Sequence, residues 1–160
     1  MLKSFCCVLM GCLFSVILQS QKLSFSDLEN LRTMKAEERD HFLQTRNFIK
    51  GEIKIQNDLH SELYRYYGAA DGEINIKTIA LVTSKKLPAT LLQYSLFDTE
   101  EANVLQTWLL EHGFHQETAS FQGMPQIFFR SKKHFLRYYE ETKQLADGKV
   151  PIMYHFEIEY

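Results

Sequence analysis

The sequence predicts an α+β protein: two tandem units, each a helical segment followed by a four-stranded antiparallel sheet, with the helices packed on one face of the sheet. Three observations carry this. The stretch Asp98–Phe121 has a start, an apolar face and a stop, as an amphipathic helix needs. After each helical segment the hydrophobic period changes to two, with Asp71-Gly72 and Asp147-Gly148 as hairpin signals. Finally, Phe42-Leu-Gln-Thr-Arg-Asn47-Phe48 lines up with Trp108-Leu-Leu-Glu-His-Gly113-Phe114. In both, a large aromatic precedes an exit residue that tolerates the left-handed conformation, and Phe follows. A diverged duplication explains the echo and places the units at 21–97 and 98–160.

The chain opens with Lys3, an apolar run from Phe5 to Leu18 and then Gln19-Ser20-Gln21, the layout of a secretory signal peptide over residues 1–20. Fourteen apolar residues are short for a membrane span, so no transmembrane segment is expected in the mature chain. The alternative at this end is a lipoprotein signal acylated at Cys12. Cys6, Cys7 and Cys12 all fall in this segment, so a chain cut after Ser20 has neither disulfides nor thiol chemistry. The roughly 140 residues that remain, rich in Phe and Tyr, are enough for one ordered core. The expected location is periplasmic or secreted.

Leu23–Thr45 reads as two short helices, the first capped by Ser26 with Glu29 and carrying Leu28 and Leu31, the second carrying Ala36, Phe42 and Leu43. From Phe48, Ile49, Gly51, Ile53 and Ile55 alternate with Lys50, Glu52, Lys54 and Gln56, one face apolar and the other wet. Strands follow at Glu62–Tyr67, Ile74–Thr83 and Ala89–Phe97. In the next helix Asp98 and Glu101 form a capping-box-like pair. Val104, Leu105, Trp108 and Leu109 face the core, Glu100, Glu101, Gln106 and Glu111 face water, and Gly113 ends the helix. Four strands complete the chain: His115–Phe121, Pro125–Arg130, Phe135–Glu141 and Ile152–Tyr160. The last of these puts Ile152, Tyr154, Phe156 and Ile158 on the covered side and His155, Glu157 and Glu159 on the open one.

Helix, then four antiparallel strands, twice over, resembles in element order the architecture of the β-lactamase-inhibitor protein, whose tandem units form a sheet with helices on one side. The resemblance rests on that order and on the Phe42/Phe48 and Trp108/Phe114 echo. The inhibitor's units carry disulfides, which a mature chain without cysteine lacks. It implies a fold more than a function.

The formal charge of −2 becomes about −3 without Lys3, against nucleic-acid binding. Lys85-Lys86 and Arg130-Ser-Lys132-Lys133 fall at turns and read as solvated loops. There is no nucleophile elbow and no phosphate-binding glycine loop, so no catalytic residue and no cofactor is assigned. His60-x-Glu62, His115-x-Glu117 and His155-x-Glu157 each put two potential ligands on one strand face; jointly, on neighbouring strands, they would make a metal-assisted hydrolase. They read more simply as solvent-facing polar residues, with no metal, and His112 reads as a helix cap. Tyr64, Tyr66 and Tyr67 on one strand, Tyr138 and Tyr139 on another, and nearby Arg130 and Arg137 are the residue types that anchor protein interfaces. The expectation is an exported, noncatalytic module that binds a protein partner through an aromatic-rich sheet face. The alternatives are the metal-assisted hydrolase and a membrane-anchored accessory lipoprotein.

Overall fold

A computed structural model describes residues 22–56, 58–70, 73–84, 90–121, 123–145 and 147–159. The expected signal peptide, residues 1–20 with Cys12, and Asp71-Gly72 and Lys85-Lys86 lie outside them. Among the described residues three helices, α1 (Phe25–Thr33), α2 (Ala36–Gln44) and α3 (Thr99–Glu111), accompany one nine-stranded antiparallel sheet. Its strands are β1 (Ile49–Lys50), β2 (Lys54–Gln56), β3 (Leu59–Ala70), β4 (Glu73–Ser84), β5 (Thr90–Leu96), β6 (His115–Phe121), β7 (Met124–Arg130), β8 (Phe135–Thr142) and β9 (Ile152–Glu159). The order across the sheet is β1-β3-β4-β5-β9-β8-β7-β6, with β2 also on β3. The last strand, β9, thus pairs with β5 at the centre. Among the described residues no helix is long and apolar enough to cross a membrane.

The helix boundaries follow local chemistry. Asp98 accepts the backbone N–H of Glu101 at 3.0 Å, as its position predicts. For α1 the cap is Ser24 in place of Ser26. Its hydroxyl oxygen accepts from the Asp27 N–H while the Asp27 carboxylate accepts from Ser24 N–H, a reciprocal box one turn fragment earlier than the Ser26/Glu29 pattern. The two exits share one geometry. Asn47 has φ +62° and Gly113 φ +81°, and the next N–H reaches back to the same carbonyl position, Phe48 to Leu43 at 3.0 Å and Phe114 to Leu109 at 3.1 Å. Both phenylalanines and both leucines are buried.

Opposed residues of antiparallel strands share a face, so the register sorts the side chains directly. One row, Tyr64–Ile79–Tyr94–Phe156–Tyr138–Ile127, runs through the core, flanked by Leu81, Leu92, Leu96, Leu136, Phe129 and Ile158. Side chains of α2 and α3 hydrogen-bond on this side. Arg39 donates to Glu62 at 2.6 Å, Tyr64 donates to Asp40 at 2.5 Å, and the Tyr94 hydroxyl donates to Glu101 at 2.6 Å. Burial acts against both carboxylates, but hydrogen bonds to Glu62 from Arg39 and Tyr64, and to Asp40 from Lys50 and Tyr64, hold each below its usual range.

Two expectations are corrected by the structure. Glu101 is not on the wet side of its helix: it forms a buried ion pair with Lys77, both side chains 2 % exposed, and Val104 turns outward. The helix rotates so that Ala102, Leu105 and Leu109 are buried, and a charged residue is accommodated because Lys77 and Tyr94 complete its bonds. The Phe48–Gln56 strand is also not one continuous amphipathic strand. Lys50 faces Tyr64 whereas Lys54 faces Ser61, four residues against three, so a bulge between them reverses the facing of the residues beyond it. Gly51 sits in the bulge, its N–H 2.7 Å from Leu63 O, where a Cβ would press on that oxygen at 3.2 Å. Before the bulge Ile49 is exposed opposite Arg65 while Lys50, opposite Tyr64, turns to Asp40 at 2.7 Å; beyond it Ile53 and Ile55 are exposed at the sheet edge.

Candidate functional site

The second face of the sheet is read from the adjacent rows. Leu63–Ala80–Gln93–Glu157–Arg137–Phe128–Glu117 crosses it, and Arg65–Thr78–Ser95–His155–Tyr139 runs beside that row. By the same parity Tyr67 and Arg130 point to this side. The seven nominated residues therefore divide. Tyr67, Arg130, Arg137 and Tyr139 share one face; Tyr64, Tyr66 and Tyr138 lie on the core side and are buried. Tyr67 is 60 % exposed, with exposed Arg65 and Ile49 beside it. At the other side Arg130 lies over the Phe135 ring at 4.8 Å and pairs with Glu117 at 3.4 Å, while Phe128 stacks on Phe135.

Between these flanks lies a polar network. Arg137 donates through Nε (2.7 Å) and Nη2 to one oxygen of Glu157, and the other oxygen accepts from Tyr139 at 3.0 Å and from Gln93 at 3.3 Å. The Arg137 guanidinium also lies 5.5 Å from the Phe121 ring. Tyr139 stacks on the His155 ring, centroids 4.5 Å apart. Burial, then the charge and hydrogen bond of Glu157, push the Tyr139 hydroxyl up to about 12, so it stays a donor at neutral pH.

The tautomer of His155 follows from its neighbours. The Gln93 amide nitrogen, 3.4 Å from Nδ1, can only donate, so Nδ1 accepts, taking the Ser95 hydroxyl at 2.8 Å as well. Nε2 then carries the proton, 3.3 Å from Glu141, within ion-pair reach but off hydrogen-bond alignment. Burial lowers the His155 pKa against the pull of Glu141 and favours this neutral form.

A serine, a histidine and a glutamate in sequence look like a proton relay. Here Ser95 is 4 % exposed and His155 5 %, inside the flanking rings, so no substrate carbonyl reaches the hydroxyl. The network is instead a set of hydrogen-bonded polar groups, with His155 Nε2 alone held only within ion-pair reach of Glu141, under a face whose outer members are aromatic and cationic. The metal alternative loses its geometric premise. β3 and β9, and β9 and β6, are each separated by two intervening strands, roughly 14 Å, whereas ligands of one zinc ion lie within about 4 Å of each other. Glu62 is also held by Arg39 and Tyr64, and Glu117 by Arg130. Among the described residues no three His, Cys, Asp or Glu side chains are grouped to hold a metal ion.

Sequence reasoning placed His155 and Glu157 on the open side but missed their burial there and their partners Gln93, Ser95 and Glu141. The signal was present: Gln93 and Ser95 are the two polar residues interrupting Leu91-Leu92-Gln93-Tyr94-Ser95-Leu96, as His155 and Glu157 interrupt the last strand. Comparison with protein families, curated proteins and solved structures finds no match to this chain.

Proposed function

We propose that this chain is an exported, noncatalytic protein-binding module that receives its partner on the sheet face bearing Tyr67, Arg130, Arg137 and Tyr139. The observation that carries it is the register, which gathers tyrosine, arginine and exposed Ile49 on one face over a preorganised polar network. Such a face suits a partner because fixed aromatic and guanidinium groups lose little conformational freedom on binding. The tandem architecture, with helices on the opposite face, belongs to the same reading. It is supported by the shared exit geometry at Asn47 and Gly113 and by the bonds of Arg39, Asp40 and Glu101 to core-side residues. Export rests on the layout of residues 1–20.

The test is affinity capture from the exporting cell with the wild-type protein and with Tyr67→Ala/Arg65→Glu, two exposed positions outside the polar network. A partner held by wild type and lost by the folded variant supports the face. A partner held equally by both, or none held by either, overturns the proposal. N-terminal mass spectrometry of the exported protein checks the expected start at Gln21 against a lipid on Cys12.

A further inference from the structure

A second site lies at the C-terminal end of α3, beside the Arg130 end of that face. Trp108 and His112, one turn apart, stack with centroids 3.8 Å apart and planes 12° off parallel. Phe25 stacks on Trp108 at 4.9 Å and meets Phe114 edge-on. Exposed His112 and half-buried Trp108, backed by buried Phe25 and Phe114, form the aromatic wall of an open cleft of about 530 Å³ that also reaches His115 and the loop Ser131–His134. That volume lies in the range of small-ligand sites.

The loop is held in place. The Ser131 N–H donates to His134 O at 3.0 Å, and the Ser131 hydroxyl oxygen accepts the N–H groups of Lys133 and His134 at 3.3 and 3.1 Å. It therefore presents exposed Lys132 and Lys133 at the cleft on a defined turn. The charge is one-sided. The cleft's single carboxylate, Glu29, lies 3.1 Å from His134 Nε2, which leaves two ammonium groups without a carboxylate in the lining. His112 has its Nδ1 committed to Trp108 O at 2.8 Å; a carbonyl only accepts, so Nδ1 carries a proton.

From a flat aromatic stack on one side and two lysines on the other, we infer that this cleft binds a small aromatic anion, a planar ring bearing a carboxylate or comparable acidic group. The ring lies on the stack of exposed His112 and half-buried Trp108, and the acid meets Lys132 and Lys133. Stacking supplies the contact area, and the lysines discriminate acid from neutral analogue. The site is independent of the sheet face, so either reading can fail alone.

Trp108 is the only tryptophan, so its indole N–H gives a single resonance that reports from within the cleft. The protein is titrated with 2-naphthoate, and separately with neutral 2-naphthamide, at low salt and neutral pH. The readout is that resonance and the amides of Ser131–His134. The expected result is a saturable shift of both groups with naphthoate, at a dissociation constant of about 1 mM or tighter. Naphthamide should bind about fivefold more weakly, a ratio that salt should erase. Lys132→Ala/Lys133→Ala should bring naphthoate down to the amide's affinity and leave the amide unchanged. No saturation by about 10 mM, shifts elsewhere in the fold, or equal affinity for acid and amide would overturn the inference. So would a double variant that binds naphthoate as wild type does.

Discussion

Replacing Glu101 with leucine strands two buried groups at once. Lys77, 2 % exposed, loses its carboxylate, and the Tyr94 hydroxyl loses the acceptor 2.6 Å away. A buried charge that loses its counter-ion costs roughly 3 to 5 kcal/mol and a buried hydroxyl that loses its acceptor about 1 to 3 kcal/mol. Because both penalties arise at one carboxylate they overlap and do not simply add. We expect a loss of about 4 kcal/mol, read by urea unfolding followed by circular dichroism, and a melting temperature lower by roughly 8 to 16 °C for a chain of this size. The decisive arm is the rescue. Lys77→Met/Tyr94→Phe/Glu101→Leu removes both groups and keeps the volume, so it should return to within about 1.5 kcal/mol of wild type or exceed it. A loss below about 1 kcal/mol for Glu101→Leu alone, or a triple variant no more stable than the single, would mean that Glu101 is solvated and that the orientation assigned to α3 is wrong.

Acidification and the helix exits give two further outcomes. His155, Glu62 and Asp40 all have folded-state pKa values below their ordinary 6.5, 4.5 and 3.8, so each contributes stability above its unfolded value that is lost as pH falls through the folded one. Denaturant midpoints should fall in two stages on acidification, the first beginning near 6.5 and absent in His155→Gln, the second beginning near 4.5; midpoints flat between neutral pH and the carboxylate range would contradict the burial of His155. At the helix exits, Gly113→Ala puts a Cβ at φ +81° and should cost about 1 to 2 kcal/mol, whereas Asn47→Gly at φ +62° should be neutral or slightly stabilising by thermal melt; equal effects at the two sites would separate their geometries.

The parts legible in the sequence were those set by local chemistry. Gly113 and Asn47 mark their exits because only a few residue types accept positive φ, and the second-half strands fall where alternation and turn residues put them. What escaped was decided between elements. Lys50 and Glu101 look like wet residues along the chain, yet Lys50 is half-buried against Asp40 and Glu101 fully buried against Lys77, each met from another element. Ile49, Ile53 and Ile55 look like one core face, but the bulge at Gly51 puts Ile49 and Ile55 on opposite sides of the sheet edge, and all three are exposed there. The tyrosines show the same limit. Parity puts Tyr64 with Tyr66 and apart from Tyr67, yet which set lies on the core side depends on the pairing of β3 with β4 and, through β5 and β9, with β8.

The same pairing brings Ser95, Tyr139, His155 and Glu157 together from three strands. β5 and β9 meet only because the final strand of the chain inserts beside β5 at the centre of the sheet. A variant that weakens this central pairing should therefore loosen the polar network along with the core. The proposed binding face and the hydrophobic row behind it share the same two strands, Tyr94 and Phe156 on one side and Gln93 and Glu157 on the other.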